Sequence, residues 1–280
     1  MTKHSYSLSV LLLTLLFSVG ALQGCATTSG AADTATRAAA DVLLPPSDEE
    51  QLGEQFSADV EKELKLHPDE EVQAYIQRLG ETAVKAASDR VPDGIEFEFH
   101  VVDDPKTVNA FAGPGGQIYF YSGLLLEAES AAEVMGVMCH EVAHVTERHV
   151  AKRLVTAYGV QALTAAALGK EPGLIAELAT SIATQGFLLK YSRDQERQAD
   201  KRGLESMLKT SYDPYGFVTF FQKLEQQGAS PPVFLSSHPL PGERVDTLQK
   251  RLKELEDLPD KKGKTEHEAI LERLRATESR

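Results

Sequence analysis

The segment His140-Glu141-Val142-Ala143-His144 narrows what this chain can fold into more than any other. Ser130 and Glu133 upstream form the pattern of a capping box, which predicts a helix over 131–149. On a helix, residues four apart lie one turn apart on one face. The imidazoles of His140 and His144 can therefore reach one metal ion. Glu141 is displaced around the helix but stays beside the open side of that ion, where its carboxylate can take a proton from water and activate it.

A third ligand has to come from elsewhere. One pattern of zinc site places a third histidine six residues after the second, with glycine midway. Here those positions hold Val150 and Glu147. His149 falls one residue early and about 140° round the helix from His144, so it is expected to be a polar helix-end residue. Glu196, in Glu196-Arg197-Gln198-Ala199-Asp200, is the better candidate. The four-residue spacing puts Glu196 and Asp200 on one face of a helix that begins at Ser192. Glu196 would bind the ion, and Asp200 would accept a hydrogen bond from the outer nitrogen of a ligand histidine, His140, fixing its tautomer. Three protein ligands and one open position describe a catalytic zinc site, one Zn2+ per chain, although imidazole and carboxylate also accept other divalent ions. Cys139 reads as a small buried apolar residue rather than a ligand.

The chain has 280 residues, room for one large domain with appendages. Its net charge of -13 repels phosphate and argues against a nucleic-acid partner. Lys3, an apolar run from Leu8 to Leu22, and Leu22-Gln23-Gly24-Cys25 resemble a lipoprotein signal over 1–24, with Cys25 acylated. Each buried acyl methylene contributes about 0.8 kcal/mol, so several chains would anchor the protein in a membrane. Acylation of Cys25 would leave Cys139 without an intrachain partner, since the sequence has 2 cysteines. Residues 25–46, rich in Ala, Thr, Ser and Gly, read as a flexible tether.

Ser47 and Glu50 suggest a second capping box, opening a helix to about Leu66, and Pro68 a further helix to about Ala87. Alternation of Ile95, Phe97, Phe99 and Val101 predicts a strand; two short strands follow, from Asn109 to Phe111 and from Gln117 to Tyr121, around the turn Gly113-Pro114-Gly115-Gly116. Two soft apolar stretches, 154–168 and 173–189, carry polar interruptions and are no clean membrane span. They read as a buried helix pair, or as an amphipathic surface facing membrane or substrate. Asp213-Pro214 starts another helix to about Gln227, Pro231-Pro232 marks a loop, and a charged helical region runs on from Gly242 with a break near Pro259 to Gly263. The expected organisation is a domain over 47–256 and a charged helical tail over 257–280.

Four blocks occur in order: Asn109-Ala110-Phe111-Ala112 with Gly115-Gly116-Gln117-Ile118-Tyr119; the motif at 140–144; Ser192-Arg193 through Asp200; and Ser237-His238-Pro239 with Arg244. Together they resemble the zinc metallopeptidase family that includes HtpX-like proteases and the CAAX prenyl endopeptidases, in its secreted bacterial lipoprotein branch. The resemblance implies an α+β, mostly helical, zincin-like domain with an active-site helix and a small β-sheet. It also implies endoproteolysis of unfolded or misassembled polypeptides, with substrate bound as an added strand along Asn109, Ala110, Phe111 and Ala112. His238 either donates to the oxyanion of the intermediate, as Arg244 could, or takes the fourth zinc position in a resting enzyme, or is structural. His238→Ala is expected to change turnover far more than zinc content. A second class of function is a zinc-containing binding or chaperone lipoprotein; the intact Glu141 favours the enzyme, because a structural site needs no base. Ala26 after Cys25 resembles outer-membrane sorting, which would place the chain on the periplasmic side of a bacterial envelope.

Overall fold

A computed structural model of the chain describes residues 37–153, 156, 190–226, 232–239 and 242–278, except 39 and 43. The expected signal, Cys25 and, but for Thr156, the apolar stretches 154–168 and 173–189 lie outside the described residues. Among the described residues, no helix is long and apolar enough to cross a membrane.

Helix α1 (Pro46–Glu63) starts without a side-chain cap; Pro45 precedes it and Pro46 occupies its first turn. The capping box expected at Ser47 and Glu50 does not form, because both residues already stand inside the helix. Proline presets the backbone of the first turn and needs no N–H partner there. Helix α2 (Glu70–Ala86) begins two residues after Pro68, and Asp69 is its cap, accepting from the amides of Glu71 and Val72 at 2.9 and 3.4 Å.

The sheet has three strands, β1 (Glu98–Val102), β2 (Ala110–Ala112) and β3 (Gln117–Tyr121), in the order β1-β3-β2. β1 runs parallel to β3, and β2 antiparallel to it, with Phe111 opposite Tyr119. Ile95 and Phe97 precede β1 rather than belonging to it. Alternation sorts the side chains. Ala110, Ala112, Ile118 and Phe120 face the main core, whereas Phe111, Tyr119 and Tyr121 pack with Phe56 of α1. The turn into β3 requires glycine at Gly116, where φ is 85° and a Cβ would stand 2.1 Å from the Glu96 carbonyl oxygen.

After the short α3 (Ser122–Glu127) comes α4 (Ala131–Thr146), whose residues are all buried. Ser130 caps it by accepting from the Glu133 amide, but the Glu133 carboxylate accepts from Glu129 N–H instead of returning to Ser130. Around α4 lie α2, α5 (Arg193–Met207) and α6 (Tyr215–Gln226), with β2 at its flank. Then follow α7 (Val233–Ser237), in the segment expected to be loop, α8 (Gly242–Lys253) and α9 (Lys264–Glu278).

Helix α9, expected as a charged tail, packs on α2, α3 and α4 and buries Ile270 and Leu274 in the main core. His267 fixes it there. Its Nε2–H donates to the carbonyls of Leu125 and Ala128 at 3.1 and 3.0 Å, which leaves Nδ1 to accept from the Tyr75 hydroxyl at 2.9 Å. Burial lowers the His267 pKa, because a charged imidazole would lose solvation here. The unfolded chain therefore binds more protons below the ordinary imidazole pKa of about 6.5, and the contribution of this group to stability is lost as pH falls through that value. His267→Ala is expected to cost about 2–3 kcal/mol through three unsatisfied buried groups. Urea denaturation at about pH 7 and about pH 5 should show a smaller loss on acidification in His267→Gln than in the parent.

Candidate metal centre

Helix α5 opens with a reciprocal cap: Ser192 Oγ accepts from the Gln195 amide, and the Gln195 side chain accepts from the Ser192 amide. This places Glu196 in the first turn, against α4. Two turns on, Gly203 lets the two helices approach, since a Cβ there would stand 3.1 Å from the His140 amide nitrogen. The loop after α7 brings His238 from the other side.

Four buried donors converge. His140 Nε2 lies 3.1 Å from His144 Nε2 and 3.2 Å from His238 Nδ1. Glu196 Oε1 lies 3.2 Å from His238 Nδ1 and 3.4 Å from His144 Nε2, and Glu196 Oε2 is 3.6 Å from His140 Nε2. A tetrahedral ion with bonds of about 2.0–2.1 Å sets its donors about 3.3–3.4 Å apart. The observed separations fit such an ion. Imidazole lone pairs this close repel unless a cation or a proton lies between them, so the donor set has the chemistry of a metal site.

Glu141 stands beside the cluster with both carboxylate oxygens buried and without a hydrogen-bond partner; Oε1 is 3.5 Å from His238 Nε2. Burial raises its pKa, opposed by His238 and His140. Burial likewise disfavours charge on Glu196, but His238 and hydrogen bonds from His140 and His144 hold it well below the usual carboxylate range. For His140, burial is outweighed by Asp200 and Glu196, and its pKa is pushed up to about 9. Burial holds His144 well below the ordinary imidazole value.

Asp200 Oδ1 lies 3.2 Å from His140 Nδ1, the nitrogen facing away from the cluster. Arg244 forks onto Asp200, Nε to Oδ2 at 2.5 Å and Nη2 to Oδ1 at 2.6 Å. Its Nη1 donates to the Pro239 carbonyl at 2.7 Å and lies 2.5 Å from Glu196 Oε2. Four of its five N–H groups thus face partners within the chain: Arg244 ties together Asp200, Glu196 and the loop carrying His238, which argues against the expected oxyanion role. Asn109 is buried just ahead of β2, and Ala110, Phe111 and Ala112 form the strand at the sheet edge beside α4.

Two further groups meet His144: Tyr191, which the sequence did not single out, and His149, which was expected as a polar helix-end residue. Tyr191 stacks on His144 with ring centroids 3.8 Å apart. His149 is wholly buried, and its Nδ1 lies 2.8 Å from His144 Nδ1. The expected helix over 131–149 stops at Thr146, because Arg148 takes a left-handed φ of 54°. The 140° offset holds only for an unbroken helix; the turn brings His149 back onto His144. Arg148 accepts this conformation because Glu49, Asp41 and the Leu44 carbonyl hold its guanidinium. Removing the counter-charge from the metal side should be costly: Arg244→Met leaves two buried carboxylates unpaired and is expected to destabilise the chain by about 3–5 kcal/mol in chemical denaturation, with Arg244→Lys intermediate.

The model of peptidase family M48 matches residues 70–252. The putative beta-barrel assembly-enhancing protease of Vibrio cholerae is 33% identical over 193 residues, covering 64% of this chain and 39% of that protein. The beta-barrel assembly-enhancing protease of Escherichia coli K12 is 28% identical over 220 residues, covering 74% of this chain and 44% of that protein. The mitochondrial metalloendopeptidase OMA1 of Schizosaccharomyces pombe is 31% identical over 166 residues, covering 57% of this chain and 48% of that protein. The chain thus spans less than half the length of these relatives. The family match takes in the helix with both motif histidines, Glu196, His238 and Arg244, and the chain belongs to peptidase family M48 and carries its metallopeptidase domain.

Proposed function

We propose that the chain is a zinc-dependent endopeptidase of the bacterial envelope that cleaves unfolded or misassembled envelope polypeptides. One observation carries the reading: a buried carboxylate, Glu141, with neither oxygen hydrogen-bonded, beside a cluster of metal-binding donors. A structural site needs no such group. His140, His144 and Glu196 would hold the zinc, which when bound would supply Lewis acidity. Glu141 would take the proton of the attacking water and pass it to the leaving amine.

Substrate adds to the free edge of β2. Asn109 O and Gly113 N–H bond to β3, so period-2 alternation turns the main-chain groups of Ala110 and Ala112 away from it. That edge lies beside α4, the helix that carries Glu141. His238 would hold the zinc as a fourth ligand in the resting enzyme; its closeness to both His140 and Glu196 supports this over an oxyanion role. The names of the bacterial relatives support action in beta-barrel assembly. Cys25 acylation would hold the chain on the periplasmic side, at the outer membrane; Cys25→Ser should then move it from the membrane to the soluble fraction after osmotic lysis.

The full chain, loaded with zinc in detergent, is expected to cleave casein, and Glu141→Gln to lose at least about a hundredfold in rate with zinc retained. Equal cleavage by both would sink the role of Glu141. With His238→Ala, a raised rate at unchanged zinc content supports the resting ligand, a lowered rate supports the oxyanion donor, and an unchanged rate removes both. The closed fourth corner also suits a zinc-containing binding or chaperone lipoprotein. Absence of cleavage by both parent and His238→Ala would favour that reading.

A further inference from the structure

His144 has a hydrogen-bonded relay behind it that runs in one direction. If Nε2 of His144 faces the metal with its lone pair, its proton sits on Nδ1. That Nδ1–H can donate to His149 Nδ1, 2.8 Å away. His149 must then carry its own proton on Nε2, which lies 3.1 Å from Gln198 Oε1. The amide is oriented by its other end, where Gln198 Nε2 donates to Glu147 Oε2 at 2.5 Å. Glu147 is buried and held by Arg202 Nε and Arg37 Nη1, each at 2.9 Å. Every donor meets an acceptor in this sequence. Reversing the tautomer of His149 would set two N–H groups against each other at His144 and leave Gln198 Oε1 facing a lone pair.

We infer that His149 is a positioning residue for the metal: it fixes the tautomer and ring plane of His144, the role Asp200, 3.2 Å from Nδ1, would have for His140, and Gln198 and Glu147 fix His149 in turn. The two ligand histidines are thereby held by different chemistry. His140 faces a carboxylate tied to Arg244, and His144 faces a neutral imidazole. A carboxylate behind His144 would add a further buried charge, whereas the imidazole passes the polarity outward to Glu147, where Arg37 and Arg202 sit near the surface.

The inference rests on His144 being a metal ligand, and the test separates the two. Zinc affinity of the full chain is measured by chelator competition, alongside the melting temperature of the stripped chain. His144→Ala should abolish stoichiometric zinc binding; if it binds zinc like the parent, the site reading and this inference both fall. His149→Phe keeps the buried ring but cannot accept from His144, and is expected to bind zinc about 10–100-fold more weakly. His149→Gln can accept from His144 and donate to Gln198, and should recover affinity to within about threefold of the parent. Gln198→Leu, which leaves His149 free to turn over, should weaken zinc several-fold even if His149→Phe does not fold. Melting of the stripped variants should not follow this order. Zinc affinity in His149→Phe and Gln198→Leu equal to the parent's, or affinity that tracks stripped-chain melting across the set, would overturn the positioning role.

Discussion

Helices α4 and α5 approach closely enough to put His140, His144 and Glu196 around one point, and much of the remaining architecture serves that approach. Gly203 removes the side chain that would keep the helices apart. The Ser192–Gln195 cap fixes where α5 begins, and so which turn faces α4. Helix α4 is buried on all sides because the sheet, α2, α5 and α6 each need a face of it. A helix in that position cannot shift its register to suit a ligand. The geometry of the donors is set by packing before any ion arrives, which is how a protein obtains ligand precision from apolar contacts.

The parts of this arrangement that were legible in the sequence share a local cause. The motif spacing, the caps at Ser130 and Ser192 and the strand at Gln117–Tyr121 are each encoded within a few residues. Glu196 was legible only because a catalytic metal site demands a third ligand, and Asp200 because four-residue spacing places it on the same face. The misses share the opposite cause. Arg148 adopts a left-handed backbone because Glu49 and Asp41, about a hundred residues away, pin its side chain. Nothing near Arg148 announces this, so the end of α4 and the return of His149 were hidden. Helix α7 was hidden likewise: Pro231-Pro232 signals a loop, yet Pro232 serves as the cap, and the Phe234 amide is drawn to the Val108 carbonyl. Arg244 was recognised in the sequence, but only the fold shows that it grips Asp200 and Glu196.

The C-terminal helix makes the same point through composition. Over Lys264–Glu278 most surface residues are charged and only Ile270 and Leu274 are buried in the main core, with Leu271 packed at its margin, so the segment reads as a solvated tail. A third buried residue, His267, supplies what two apolar side chains do not: three directional hydrogen bonds that fix its position against α2 and α3. A lone histidine in a charged run carries no sequence signal for that role. Its neutrality, enforced by burial, also distinguishes it from His140, whose carboxylate neighbours push it the other way.

That contrast leads to the charge balance of the centre. Inside the buried shell stand three carboxylates, Glu141, Glu196 and Asp200, and one guanidinium, Arg244. With the imidazoles neutral and all three carboxylates ionised, the shell lacks two positive charges. Among the side chains alone, the directions of the shifts compensate: burial pushes Glu141 toward its neutral form, while Asp200 and Glu196 push His140 toward its charged one. A divalent cation held by His140, His144 and Glu196 would supply both missing charges, with His140 a neutral ligand and Glu141 an ionised base. The number of carboxylates thus matches a dication, as the spacing of the donors does.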